Sequence, residues 1–214
     1  MLRTLIAITL VSSAILTLSP PAEACVNGVR AKTDSSVRAI SKAERLDRNG
    51  KYAAAIRTIK MTNLKRQPPG LRNRAKAVLA AATIHSKGGL NRDQQSTKAK
   101  SAKARAANLA WAVKQVRYLI KKRAALTGGD DPRLKVLLAE GMAQNPEKEA
   151  EALAILEGLE KKGLIGSATG YVALANLRRE KGDNEGSDKA LERCKQISPN
   201  KSLCIESFKP KSKG

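Results

Sequence analysis

ATGYVALANLRREKGDNEGSDKALERCKQISP, residues 168–199, reads as two helices joined at Gly182-Asp183 and stopped at Pro199. Tyr171, Leu174 and Ala175 recur at helical spacing before the glycine, and Leu191 and Cys194 do so after it. Residues 37–65 repeat the arrangement with Ala39, Ala43 and Leu46 ahead of Gly50, and Tyr52, Ala55 and Ile59 behind it. The rest of the chain has the same texture. Ala, Leu, Lys, Arg and Glu dominate, and the β-branched and aromatic runs expected of strands are missing. Breaks at Gln67-Pro68-Pro69-Gly70, Lys87-Gly88-Gly89, Gly128-Gly129-Asp130, Asn145-Pro146 and Lys162-Gly163 divide it into about eight helices, paired as α-hairpins.

Residues 168–199 resemble a tetratricopeptide repeat (TPR), through Tyr171, Leu174, Ala175, Gly182, Leu191, Cys194 and Pro199. Residues 37–65 carry the same pattern, and Ala77, Ala81, Ile84 and Gly88 begin another copy. Ser187, Thr62 and Gln67 stand where the pattern has small residues or proline, and residues 137–159 follow no register of it. The resemblance implies an all-α fold, a right-handed α-hairpin solenoid of about four TPR-like helix pairs over residues 25–205. It also implies that the first helix of each pair lines a groove for an extended peptide or a partner helix. Asn176 and Arg179 would then face the groove, with Val37, Glu44, Val78 and His85 at the matching positions of earlier pairs. Small residues at Ala43, Ala55 and Ala175 are expected where paired helices approach most closely.

The first residues have the form of an export signal, with Arg3, an apolar run from Leu5 to Leu18, and Ala22-Glu23-Ala24 ahead of Cys25. The run is too short for a membrane span of roughly 20 residues, so residues 1–24 are expected to be removed. The destination is then periplasmic or extracellular, with acylation of Cys25 as the alternative. Cys194 and Cys204 flank a Ser198-Pro199-Asn200 turn, and in an oxidising compartment they are expected to bond. Residues 206–214 form a basic tail.

Charge is unevenly spread over the chain's net +22. Residues 51–129 hold 19 Lys/Arg against one acid, Asp93, whereas residues 130–214 hold 15 against 14. Like charge so concentrated repels itself, and an anionic partner is the natural reason for it. Simple solubilisation is the competing explanation. Within this half, residues 94–126 read as one long helix with an apolar stripe at Leu109, Val113, Val116 and Ile120. Lys103, Lys114, Arg117 and Lys121 fall beside that stripe as a candidate surface for an anionic polymer or an acidic protein. Trp111 and Tyr118 share a strip on the far side, where packing against a neighbouring helix is the ordinary role and stacking on a ligand the sharper one. The polar residues 94–105 are weak helix formers without a partner.

No GxSxG, P-loop, HExxH or dinucleotide fingerprint occurs, and the three cysteines and the one histidine, His85, have no metal-ligand spacing. The expectation is a non-enzyme without cofactor or metal. Two functions follow from the residues: a scaffold that binds a protein or peptide, and a binder of nucleic acid, anionic lipid or cell-wall polymer through residues 51–129.

Overall fold

Helix α1 (Ser35–Arg48) turns at Gly50 into α2 (Tyr52–Met61), and α3 (Pro69–His85) is followed by α4 (Ala102–Thr127). Beyond them come α5 (Pro132–Met142), a 3-10 turn (Pro146–Lys148), α6 (Glu149–Glu160), α7 (Ala168–Glu180), α8 (Asn184–Ile197) and the short α9 (Ser202–Glu206). The structure is a computed structural model and describes residues 35–65, 67–91, 97–198 and 201–206, all within one unit, Asp34–Gly214. The expected export signal, Cys25, the Pro199-Asn200 turn and residues 207–214 of the tail lie outside the described residues. Among the described residues the chain is all-α, with a single antiparallel bridge between Leu90 and Lys98.

Local chemistry sets where the helices start and stop. Side chains of Ser101, Asp131, Ser167 and Asp183 accept hydrogen bonds from the backbone N–H of Ala104, Arg133, Gly170 and Gly186, each satisfying a donor that the first turn leaves open. Pro69 and Pro132 occupy first helical positions, where a missing N–H costs nothing. The turns at Gly50 and Gly182 have left-handed backbone, φ +74° and +87°, which residues with a Cβ adopt at a cost.

Packing follows a regular order. Helices pair as α1 with α2, α3 with α4, α5 with α6 and α7 with α8, and each even-numbered helix also touches the next odd-numbered one. The odd-numbered helices touch in succession, α1 to α3, α3 to α5 and α5 to α7. Residues 137–159, which follow no repeat register, nevertheless form the α5–α6 hairpin; Ala152, Leu156 and Leu159 face inward, and that spacing suffices. Ala43, Ala55 and Ala175 are fully buried, as expected of close helix approach.

Two apolar clusters result. Ile40, Ile56, Ile59, Ala75 and Val78 hold α1, α2 and the first part of α3, while Ile84, Val116, Met142, Leu156 and Leu174 belong to a larger cluster reaching α8 and Cys204. Trp111 packs against both, so the ordinary role expected of it is the one it has. Cys194 and Cys204 are bonded to each other and both are buried, fastening α9 to α8.

Helix α4 begins at Ala102, eight residues later than the composition suggests. Residues 97–99 instead find backbone partners in the loop after α3: Asn91 N–H donates to Thr97 at 2.7 Å and Ala99 N–H to Gly89 at 2.8 Å. Without an apolar stripe to bury, nothing favours helix there over this pairing. The buried face of α4 is Asn108, Ala112, Val116 and Leu119, with Leu109, Val113 and Ile120 only partly covered. The stripe is thus rotated slightly from the one that bulky residues alone would indicate.

Candidate functional site

The C-terminal ends of α1, α3 and α5 meet at His85. Its Nδ1 is 3.0 Å from Asp47 Oδ1, and its Nε2 is 3.0 Å from Glu140 Oε2. Glu140 in turn accepts from Ser167 Oγ at 3.0 Å and Thr169 Oγ1 at 2.8 Å, so one carboxylate joins α5 to α3 and to the start of α7. Asp47 and Glu140 are both buried. Burial acts to lower the His85 pKa, but the Asp47 carboxylate, by charge and by hydrogen bond, and then Glu140 outweigh it and raise the value to about 10. At neutral pH His85 is therefore an imidazolium donating from both nitrogens, which fits two acceptor-only carboxylates. Tyr52 leans on its ring with centroids 5.7 Å apart, and burial followed by Asp47 and Glu140 raises the phenol pKa.

A cleft of about 540 Å³ opens beside this network. Its floor is Ile84, Leu109, Val172 and Leu177, and its rim mixes Lys87 and Arg105 with Glu149 and Glu180. Gln144, on the wall, donates from Nε2 to the carbonyls of Ile84 and Glu140, while its Oε1 is buried and accepts no hydrogen bond within the described residues. An apolar floor between polar rims of both signs suits an extended chain carrying alternating apolar and polar groups.

The residues expected in a groove divide. His85 and Asn176 both line the cleft. Arg179, by contrast, turns towards α8, where its Nη2 is 2.5 Å from Asp188 and its Nε 3.3 Å from Ser187 Oγ. Three residues from Asn176, it has rotated far enough to reach the second helix of its own hairpin. Glu44 pairs with Arg74 of α3 at 2.6 Å, and Val78 is buried in the core. No protein-family model, curated protein or solved structure matches the chain. The cleft has to be read from its own chemistry.

Among the described residues no group of three or more His, Cys, Asp and Glu is placed to hold a metal ion. No described helix is long and apolar enough to cross a membrane.

Lys103, Lys114, Arg117 and Lys121 are all exposed on α4. Among the described residues only Arg117 of these four has an acid near it, Glu151 at 3.8 Å, and its Nη2 also lies 3.8 Å from Met142 Sδ. Tyr118 is 41% exposed rather than packed under a neighbour. The ammonium groups of Lys76 and Lys122 stand 5.3 and 5.9 Å from its ring centroid, a cation–π arrangement. Lys122 is one helical turn from Tyr118 and could be read from spacing; Lys76 comes from another helix and could not.

Proposed function

We propose that the protein is an exported, non-catalytic scaffold of right-handed TPR-like helix hairpins that grips an extended segment of a partner protein in the cleft beside His85. The observation that carries this reading is the cleft itself, which residues of α3, α5 and α7 line together with the start of α4. Lys87 and Arg105 offer cations and Glu149 an anion to opposite side chains of the segment, and Asn176 lines the same cleft. The disulfide between Cys194 and Cys204 supports an oxidising destination, since such bonds persist outside reducing compartments.

The test is selection of unstructured peptides on the purified, oxidised protein, followed by competition with an Ala106→Trp variant. Ala106 is exposed and lines the cleft, so an indole there fills the space without disturbing the core. Selected peptides should lose affinity for the variant while its helicity and melting temperature stay unchanged. Peptides bound equally by both proteins would remove the cleft from the reading.

A second reading, binding of an anionic polymer through residues 51–129, is favoured by the exposure of Lys103, Lys114 and Lys121, with no acid paired to them among the described residues. It concerns another surface and excludes nothing about the cleft.

A further inference from the structure

The edge of the fold opposite His85 carries apolar side chains that folding leaves in solvent. Met61 is the last residue of α2 and Leu126 the second-last of α4, and each is 78% exposed. Two contacts fix how α4 lies on α3. Gly88 faces Arg105 and Leu109, and Lys76 faces Tyr118, so α4 descends as α3 rises. Extending that register brings Leu126 level with Pro68 and Pro69 at the start of α3, the point to which Met61 leads across a short connector. Tyr118, Lys122 and Leu126, four residues apart, share one face of the last turns of α4.

We propose that this edge is a docking surface for an anionic lipid bilayer, with Leu126 and Met61 entering the acyl boundary, Tyr118 at the headgroup level, and Lys76 and Lys122 on lipid phosphates. Amphipathic interfacial binding combines buried apolar area with attraction to anionic lipid, and the edge supplies both. Tyrosine prefers the interface, having an apolar ring and a polar tip, and lysine stems lie along apolar surface while the ammonium reaches outward. The charge argues against the other occupants. A second copy would set two segments of +18 against each other. A soluble polyanion would use the lysines but has nothing to offer two aliphatic side chains left in water. This inference shares its cations with the basic region of the second reading, but it depends on the apolar residues, which that reading does not use.

The experiment is cosedimentation of the exported, oxidised protein with vesicles of phosphatidylcholine alone and of an equal mixture with phosphatidylglycerol, alongside binding to soluble polyphosphate. Variants are Met61→Ser with Leu126→Ser, and Lys76→Gln with Lys122→Gln; all four positions carry solvent-facing groups, and unchanged circular dichroism verifies the fold. The wild type should bind the mixed vesicles and not the neutral ones. The serine pair should weaken that binding by about tenfold or more and leave polyphosphate binding untouched, whereas the glutamine pair should weaken vesicle binding and make it less sensitive to salt. Failure to sediment with anionic vesicles overturns the proposal. So does equal vesicle binding by the serine pair, which would leave diffuse charge as the whole attraction and return the surface to the polymer reading.

Discussion

His85 Nε2 lies 3.0 Å from Glu140 Oε2, and this contact across 55 residues of sequence joins the end of α3 to the end of α5. With Asp47 on the other ring nitrogen, a single protonated imidazole holds together the ends of three helices that line or adjoin the cleft. Its energetic role is conditional on both carboxylates being present. Buried charges are costly unless paired, and removal of one partner leaves the others uncompensated.

The pH dependence of stability follows from that pairing. His85 has a folded pKa of about 10 against the ordinary 6.5, so the folded state holds the proton more tightly than the unfolded chain. The stabilisation is complete below about pH 6.5 and is lost as pH rises through 10. Chemical denaturation of the wild type should show stability declining across that interval. A His85→Leu variant should be less stable by about 3 kcal/mol at neutral pH, with the difference shrinking as the solution becomes alkaline. A constant difference from neutral to alkaline pH would show that the ring contributes by packing and not by its charge.

Gly88 and Gly182 both have left-handed backbone, but their surroundings differ. A Cβ on Gly88 would stand 2.3 Å from the carbonyl oxygen of Arg105, whereas nothing lies within 4 Å of one on Gly182. Gly182→Ala should cost about 1 kcal/mol, the backbone term alone. Gly88→Ala should cost at least about twice that, because α4 must also move away from the turn that Asn108 ties down through Gly88 and Leu90 carbonyls. Urea melts of the two variants measure the difference, and equal losses would mean that α4 yields freely.

Non-reducing peptide mapping of the protein purified without reductant should recover Cys194 and Cys204 joined. Replacing both by serine should lower stability by roughly 3 kcal/mol, the chain-entropy value for so short a loop. The loss should appear first as release of α9, whose contacts are with α7 and α8. Free thiols at both positions in that preparation would refute the bond.

Intact-mass measurement should find the exported chain beginning at Cys25, with Arg3, the apolar run and the A-x-A site removed. A chain that still begins at Met1 would contradict export by cleavage, and an added diacylglycerol mass would identify the acyl-anchored form.

The polymer reading has its own measurement. Changing Lys114, Arg117 and Lys121 together to Gln should weaken binding to duplex DNA and flatten the fall of log K with log salt, at roughly 0.9 per lost phosphate contact. Helicity and melting temperature should hardly change, since these side chains are exposed and exposed charges contribute little to folding. Unaltered binding across the titration would mark them as an ordinary solvated face.

Sequence alone determined the all-α character, the hairpin turns and the partnership of Cys194 with Cys204. Each rests on short-range chemistry: apolar period, glycine where the backbone turns left-handed, and two sulfurs ten residues apart. It also isolated the basic half, because charge is a sum over residues and needs no coordinates. The start of α4 was not legible in the sequence, since the backbone of residues 97–99 has partners in the loop after α3 that no local pattern announces. Arg179 shared the helix of Asn176 but found Asp188 nearer than the cleft. Lys76 over Tyr118, and Asp47 and Glu140 on His85, join residues tens of positions apart. Such contacts were decided only by the tertiary structure, because which side chains face each other across two helices depends on crossing angle and register, and a shift of one helical turn would pair different residues.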